Sequence, residues 1–428
     1  MRLSAFGQKF AGQSGISALM EDLGTALSEN PDMLFMGGGN PGRVEAAQEA
    51  YFAQLQALVA DPERRHECFG VYQAPLGDRG FREELARYLR RRCGWDVNAE
   101  NIAIANGSQS AFFLLANMFA GPEGGATGGI EADAIEEVGT IHLPMSPEYV
   151  GYRDAGLAEP FFTASRPQIE KLEDGFFKYR IDLAQRIPPS TRALLVSRPS
   201  NPTGNVISDA ELAGLDALAV TADVPLIIDG AYGAPFPDLV YSDARAYWSD
   251  NTSLMLSLSK LGLPGVRSGI VIARTDIAAA FARANTVMSL ASGGLGPALL
   301  APMLRDGSLD TLCRDALQPF YRERQALALK TLRGGLGDLP VHIHRPEGAF
   351  FLWLWCEGIP VDSMTLYRRL KEHGVIVLPG QEFFIGTGEG WPHSRECLRL
   401  SYAGDRATIE RGCEVVAQTL RDAYTGGV

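Results

Sequence analysis

Lys260 is the residue whose surroundings most favour covalent chemistry. It follows an apolar strand predicted over 254–258 and precedes a loop that contains Gly262, Gly265 and Arg267. The chain has only six lysines, and the other five lie in polar or helical contexts. A lysine amine that is removed from water and lies near other cations has a lowered pKa, which prepares it to attack a carbonyl carbon. The alternative is a lysine that extends from a strand end into solvent.

A carboxylate, an amide and a phenol follow two further apolar strands. Asp229 ends a strand predicted over 225–229, and Tyr232 comes three residues later. Asn201 follows a strand predicted over 193–197 and begins the turn sequence Asn-Pro-Thr-Gly. A buried carboxylate is costly unless it meets a cation or accepts several hydrogen bonds. Asp229 therefore caps a helix, forms an ion pair or serves a ligand, and Asn201 either belongs to a plain turn or serves the same ligand.

A fourth strand end has the residues of a phosphate site. The strand predicted over 102–105 leads into Gly107, Ser108 and Gln109, which open a helix predicted over 108–119. Backbone N–H groups at the start of a helix face outward, and the helix dipole favours an anion there. A glycine turn before a helix is common, so this motif carries little weight by itself.

Together the four strand ends predict one cofactor. Ligands of open α/β sheets bind beyond the carboxyl ends of the strands, so these residues are expected to meet. They would supply a phosphate site with an arginine, an amine, a carboxylate, and donors for a phenolate oxygen. Pyridoxal 5′-phosphate presents a phosphate, an aldehyde, a ring nitrogen and a phenolate, each of which needs a partner.

The elements that position these residues indicate an α/β fold. Strands that are apolar throughout, including one predicted over 269–273, alternate with helical patterns, which is typical of a mostly parallel sheet covered on both faces. Residues 61–310 are expected to form this large domain and residues 311–428 a smaller α+β domain. The segment 1–60, with an apolar helical stripe over 16–27, is expected to join the smaller domain.

Composition excludes several classes of function. The 428 residues carry a formal charge of −12, with 46% hydrophobic and 21% charged residues. This acidic balance argues against a nucleic-acid or membrane partner. No secretory signal or membrane span is apparent, and the six cysteines are scattered, which predicts reduced thiols and a cytoplasmic protein. His342 and His344 alternate on a predicted strand but lack a third ligand, so we expect no metal site.

The motifs resemble those of the class I, fold-type I aminotransferases. The resemblance rests on the motif Ser-x-Ser-Lys, which ends at Lys260, and on Arg267 seven residues later. It also rests on the upstream Asn-Pro-Thr-Gly turn and on Asp229-x-x-Tyr232, which lies between that turn and Lys260. In finer detail the chain is similar to the valine–pyruvate aminotransferases. The segments that carry this second resemblance are 6–10, 37–41, 106–113, 257–265 and 346–350.

The resemblance implies a fold and a cofactor site. The large domain would contain a mostly parallel seven-stranded sheet between helices. Lys260 would attach the cofactor aldehyde covalently, Asp229 would pair with the ring nitrogen, and Tyr149 would stack on the ring. The phenolate oxygen would be bound by Asn201 and Tyr232. The phosphate would be held by Gly107, Ser108, Gln109, Ser257 and Arg267, with Tyr72 reaching it across a homodimer interface.

The resemblance also implies a reaction. Arg399, whose planar fork matches a carboxylate, would bind the substrate with help from Gly39 and Asn201. Amino groups would move between valine- or alanine-like amino acids and pyruvate or 2-oxoisovalerate in two half-reactions with ping-pong kinetics.

Two departures from the subgroup pattern leave the substrate open. Gly230 stands where the subgroup has asparagine, and Gln381-Glu382 replaces a His-Tyr pair in a late loop. Glu382 either faces solvent or changes the polarity of the pocket. One rival function is elimination or replacement at the β- or γ-carbon of an amino acid. A more remote rival is a non-catalytic, aminotransferase-like regulator, which would carry a basic DNA-binding domain that is not apparent here.

Overall fold

The computed structural model describes residues 2–12, 21–22, 24–28, 30–122, 138–388 and 390–426. Most of the predicted stripe over 16–27 therefore lies outside the described residues. The helices are α1 Ala5–Ala11, α2 Glu45–Ala60, α3 Pro62–Phe69, α4 Arg79–Cys93, α5 Ser108–Phe119, α6 Asp209–Thr221, α7 Thr275–Ser289, α8 Leu295–Asp306, α9 Ser308–Leu312, α10 Gln318–Leu336, α11 Ser363–Glu372, α12 Pro392–Arg395 and α13 Arg406–Thr425.

The strands form one large sheet, a smaller sheet and a two-stranded pair. They are β1 Leu34–Phe35, β2 Ile102–Ala105, β3 Gly121–Pro122, β4 Val138–Leu143, β5 Phe162–Ala164, β6 Gln168–Lys171, β7 Phe176–Arg180, β8 Thr191–Ser197, β9 Leu226–Asp229, β10 Thr252–Ser257, β11 Gly269–Ile272, β12 Val341–His344, β13 Phe351–Cys356, β14 Val375–Ile376, β15 Leu378–Pro379 and β16 Cys397–Ser401.

The large sheet has the strand order β2-β11-β10-β9-β8-β4-β3, and β5 pairs with β4. The pairs β10–β9, β9–β8, β8–β4 and β4–β5 are parallel, whereas β11 and β3 run antiparallel to their neighbours. Alternate residues of these strands enter two separate apolar clusters, with Ile227 on one face of β9 and Ile228 on the other. Burial on both faces is why these strands read as continuous apolar runs.

The prediction of a mostly parallel α/β sheet is confirmed, but the count of seven strands is wrong. Within the described residues the sheet has eight strands. Two of them, β3 and β5, have only two and three residues, which is too short to show an apolar pattern. The predicted strand over 102–105 and helix over 108–119 have the bounds observed for β2 and α5.

The smaller sheet is assembled from distant parts of the chain. Its order is β15-β16-β13-β12-β7-β6, so β6 and β7 leave the large-sheet region to pair beside β12. Near the N-terminus, β1 pairs in parallel with β14, with Leu34 opposite Val375. The carboxyl ends of the large sheet and β16 of the smaller one thereby border a single cavity.

No helix in the described part of the chain combines the length and apolarity that crossing a bilayer requires.

Candidate active site

A cavity of about 470 Å³ lies between the carboxyl ends of the large sheet and the smaller sheet. Most of the predicted site residues line it. They are Gly39, Ser108, Gln109, Tyr149, Asn201, Asp229, Tyr232, Ser257, Lys260, Arg267 and Arg399. These residues span 361 positions of the chain, from Gly39 to Arg399, so the fold and not local sequence brings them together.

Lys260 follows β10 and points its amine into the cavity. The Nζ atom donates a hydrogen bond to the carbonyl oxygen of Gly39 at 2.7 Å and lies 5.4 Å from the centre of the Tyr232 ring. Burial lowers the pKa of the Lys260 amine to about 8, and the positive charges of Arg399 and Arg267 act in the same direction. A larger fraction of the amine is therefore neutral and nucleophilic at physiological pH than for an exposed lysine.

Asp229 ends β9 and holds two hydrogen bonds from the protein. Its carboxylate accepts one from the Tyr152 hydroxyl at 2.5 Å and one from the backbone N–H of Ala231 at 3.0 Å. Burial raises the pKa of the Asp229 carboxyl, while the two hydrogen bonds and the charge of Lys260 oppose that shift. This arrangement presents an oriented carboxylate to a positively charged nitrogen in the cavity.

The start of α5 forms an anion site together with Arg267. Gly107, at a φ of 99°, precedes the helix, and no side chain caps its N-terminus. A Cβ atom on Gly107 would lie 2.4 Å from a guanidinium nitrogen of Arg267, and the positive φ favours glycine at this position. Arg267 itself has a φ of 52°, which is unfavourable for a residue with a side chain and is typical of functional sites. Free N–H groups beside a guanidinium suit a phosphate.

Arg399, on β16, is a buried cation that forms no ion pair with any residue in the described ranges. The residue is 2% exposed. Its guanidinium donates a hydrogen bond to the carbonyl oxygen of Gly37 and another, at 2.7 Å, to the side-chain oxygen of Asn201. Its Nε has no partner among the described residues. Its guanidinium lies 4.4 Å from the centre of the Phe351 ring. Burial lowers the pKa of Arg399 to about 10, so it stays charged at neutral pH. An unpaired buried charge of this kind is suited to a carboxylate ligand.

Three predicted or questioned residues lie away from the cavity lining. Gly107 lies behind Arg267 at the anion site. Tyr72 is 81% exposed and does not line the cavity of its own chain. Glu382 neither lines the cavity nor faces open solvent, because its carboxylate lies 3.7 Å from Arg153 and its side chain is 14% exposed.

Tyr152 and Glu148 are site residues that the sequence reasoning missed. Tyr152 bonds Asp229, and Glu148 lies behind it, bonded to the backbone N–H of Ser197 at 2.8 Å. Both belong to the segment Pro147-Glu-Tyr-Val-Gly-Tyr152, from which only Tyr149 was assigned a role. A glutamate and a tyrosine within an otherwise apolar stretch after a strand were the available signal.

The chain matches a known family model and full-length relatives. Residues 173–416 match the model described as aminotransferase class I and II. The valine–pyruvate aminotransferase of Escherichia coli is 43% identical over 425 residues, which cover 99% of each chain. The aspartate/prephenate aminotransferase of Thermus thermophilus is 26% identical over 82% of this chain and 83% of its own.

The fold is similar to that of a solved relative. The crystal structure of a valine–pyruvate aminotransferase from Salmonella typhimurium superposes with a TM-score of 0.86 at 40% identity, covering 96% of this chain and all of the relative.

Proposed function

The chain belongs to the class I and II aminotransferases, and from that premise we propose that it moves amino groups between aliphatic amino acids and small 2-oxo acids. Valine and alanine are the proposed donors, and pyruvate and 2-oxoisovalerate are the proposed acceptors. The observation that carries the proposal is the pairing of the reactive amine of Lys260 with the unpaired buried guanidinium of Arg399 in one cavity. An amine for covalent chemistry beside a carboxylate site is what a free amino acid requires.

Members of this family depend on pyridoxal 5′-phosphate, and the donor set of the cavity fits that group. The uncapped start of α5 with Arg267 would hold the phosphate, Asp229 the ring nitrogen and Lys260 the aldehyde. Ser257 and Gln109 line the same cavity and would complete the phosphate site. Gly107 lies close to the guanidinium of Arg267, which supports an anion-binding role for this end of α5.

The bound cofactor supplies an electron-withdrawing ring that stabilises negative charge developing at the Cα atom of an attached amino acid. Asp229 holds a proton on the ring nitrogen because its carboxylate is oriented by Tyr152 and the N–H of Ala231. Lys260 acts as the general base that removes the Cα proton, and its lowered pKa places it near the optimum for proton transfer at neutral pH.

Arg399 and Asn201 orient the substrate. The guanidinium offers two parallel N–H donors to the substrate carboxylate, in competition with its present bonds to Gly37 and Asn201. Because the side-chain oxygen of Asn201 faces Arg399, the amide nitrogen of Asn201 remains to donate to the phenolate oxygen of the cofactor, as does the Tyr232 hydroxyl. Asn201 would thus connect the carboxylate site, through its side-chain oxygen, to the cofactor ring, through its side-chain nitrogen.

The apolar part of the cavity supports an aliphatic side chain on the substrate. Leu27, Phe35 and Leu378 line it on the side of the smaller sheet. Among the described lining residues, the only cations are Lys260, Arg267 and Arg399, and each already has a proposed role. A second carboxylate, as in aspartate, would meet no free cation there, and burying it unpaired is unfavourable.

We propose a cytoplasmic homodimer as the working form. Tyr72 lies among exposed apolar neighbours, Phe69 at 60% and Val71 at 51%, and Val287 is 90% exposed. Exposed apolar side chains of this kind mark interaction surfaces. In the dimer, Tyr72 would reach the phosphate site of the partner chain.

The test mixes the purified holoenzyme with single amino acids and follows both the cofactor spectrum and the products. We expect valine and alanine to convert the cofactor to its amine form, with release of the matching 2-oxo acid and no ammonia. Aspartate should react far more slowly. Release of ammonia instead would indicate elimination and would contradict amino transfer.

A specificity variant sharpens the same test. Phe35→Ala enlarges the apolar side of the cavity, so the ratio of kcat/KM for leucine over alanine should rise by about tenfold, since one or two methylene groups in an apolar pocket are worth that much. Phe52→Ala, at an exposed phenylalanine outside the cavity lining, is the matched control and should leave the ratio unchanged. An unaltered ratio in Phe35→Ala would contradict the proposed side-chain pocket.

A further inference from the structure

Glu148 is a buried carboxylate beside Ser197, and Ser197 and Asp229 both line the cavity. Glu148 is 0% exposed and forms no ion pair with any described residue. One oxygen accepts from the backbone N–H of Ser197 at 2.8 Å, and the other contacts the Ser197 hydroxyl. Its own N–H donates to the carbonyl oxygen of Phe383 at 3.0 Å, which fixes the backbone on either side. A fully buried carboxylate that has no cation beside it among the described residues needs an explanation.

A continuous chain of oxygen atoms connects this carboxylate to the active site. The Ser197 hydroxyl lies 3.2 Å from the hydroxyl of Tyr152, and that hydroxyl lies 2.5 Å from a carboxylate oxygen of Asp229. Glu148 and Asp229 are therefore the two ends of a chain with three oxygen–oxygen contacts and two hydroxyls between them.

Counting protons along this chain distinguishes two states of Glu148. If both carboxylates are ionised, Ser197 donates to Glu148 and Tyr152 donates to Asp229, and no proton remains for the contact between the two hydroxyls. If Glu148 carries a proton, it donates to Ser197, Ser197 donates to Tyr152, and Tyr152 donates to Asp229. Three contacts then hold three protons, all pointing toward Asp229, which satisfies every member of a buried network.

We propose that Glu148 is a neutral carboxylic acid whose proton orients the hydroxyls of Ser197 and Tyr152 toward Asp229, so that Asp229 is the ionised end of the pair. Glu148 is thus a positioning residue that acts on the cofactor through Asp229. The inference rests on the proposed function only for the role of Asp229.

The electrostatic surroundings agree with this assignment. Burial raises the pKa of Glu148 to about 8, and the negative charge of Asp229 adds to that effect. The titratable groups that act on Glu148 are Asp229 and Tyr152, and neither is a cation. Hydrogen bonds from the Ser197 hydroxyl and from the backbone N–H groups of Ser197 and Tyr149 oppose the rise in the pKa of Glu148. Asp229, by contrast, has Lys260 nearby, so ionisation of the pair falls on Asp229.

Infrared spectroscopy of the holoenzyme tests the proposal directly. We expect the wild type at neutral pH to show the carbonyl stretch of a protonated, buried carboxyl group, and Glu148→Gln to lack it. The surface variant Glu49→Gln is the matched control and should retain the band. A wild type without the band, or a Glu148→Gln variant that keeps it, would overturn the proposal. Neither result depends on the reaction, so a failure here is distinct from a failure of the proposed function.

The pH dependence of stability gives a second readout. A carboxyl group whose pKa rises from 4.5 to about 8 on folding stabilises the folded state fully below pH 4.5. This stabilisation is lost as the pH rises through about 8. The melting temperature of the wild type relative to Glu148→Gln should therefore fall between about pH 5 and pH 8. A difference that stays constant or grows over this range would overturn the proposal.

Rescue by the conservative variant separates positioning from mere packing. Glu148→Ala removes the donor and should lower kcat about tenfold with little change in KM, since it costs one buried hydrogen bond in the chain. Glu148→Gln keeps a neutral donor to Ser197 and should recover most of that loss. If Glu148→Gln is as impaired as Glu148→Ala, a negative charge is required at this position and the proposal is wrong.

Discussion

The two walls of the cavity differ in how fully the hydrogen-bonding groups of their charged side chains are paired with other protein groups. On the lysine wall, made by Asp229 and Lys260 at the carboxyl ends of β9 and β10, both groups already have protein partners: Tyr152 and Ala231 for the acid, Gly39 for the amine. On the arginine wall, made by Arg399 on β16, the guanidinium Nε has no partner within the part of the chain that the structure describes. A wall whose charged groups are already hydrogen-bonded and oriented by the protein suits a resident cofactor. A cation that still lacks a hydrogen-bond partner suits a ligand that enters and leaves at every turnover.

Removing the amine of the lysine wall should have the largest effect. Lys260→Ala eliminates both the proposed attachment point and the proposed general base, so turnover should fall by about 10⁴-fold or more. Single-turnover spectra of the cofactor with valine measure this loss. Lys330→Ala, at an exposed position on α10, is the control and should behave as the wild type. Retained turnover in Lys260→Ala would remove the basis of the comparison between the two walls.

Neutralising the acid of the same wall comes second. Asp229→Ala withdraws the charge that we propose keeps the ring nitrogen of the cofactor protonated, so kcat should fall by about 10² to 10³-fold. The KM for the amino acid should change little, because Asp229 makes no proposed contact with the substrate. Steady-state kinetics at saturating cofactor separate the two parameters. A rise in KM without a loss of kcat would assign Asp229 to the arginine wall instead.

Changing the arginine wall should affect binding more than turnover. Arg399→Lys keeps the charge but loses the planar pair of donors, so kcat/KM should fall by about 10- to 100-fold, mainly through KM. Amino acid and 2-oxo acid should be affected alike, since both present the same carboxylate. Initial rates over a range of both substrates provide the measurement. An effect confined to kcat would show that Arg399 serves the chemistry rather than the carboxylate.

The smallest expected effect concerns the electrostatic interaction between the charged groups of the two walls. Because the charge of Arg399 lowers the pKa of Lys260, Arg399→Gln should raise that pKa from about 8 toward the ordinary lysine value. The pH dependence of lysine modification in the apoprotein, followed by peptide mapping, reports the midpoint. A midpoint that does not move would indicate that burial alone sets the pKa of this amine.

The lysine wall was the more predictable of the two. Asp229, Lys260 and Ser108 each follow an apolar strand, so strand recognition together with the rule for parallel sheets was sufficient to bring them together. The bounds of β2 and α5 were predicted for the same reason, since a buried strand and the helix after it have distinct local patterns.

The remaining features depend on contacts between segments that are distant in sequence. The carbonyl of Gly37 accepts from Arg399, 362 residues away, and Glu382 lies beside Arg153. No local periodicity encodes such pairs. The role of Tyr152 was missed for a similar reason, because its bond to Asp229 joins residues 77 positions apart. Arg399 itself was assigned from family resemblance and not from its surroundings.

The smaller sheet has a consequence for how this protein can be divided. Strands β6 and β7 come from the middle of the chain, and β1, near the N-terminus, pairs with β14. A C-terminal fragment beginning near residue 311 would lack β6, β7 and β1, and would leave the edge of β12 unpaired and prone to aggregation. The chain must also bring its middle and its end together before this sheet is complete, which favours slow folding. Insertions or fusions are therefore best tolerated at the chain ends or at exposed turns, and not at the boundary between the two sheets.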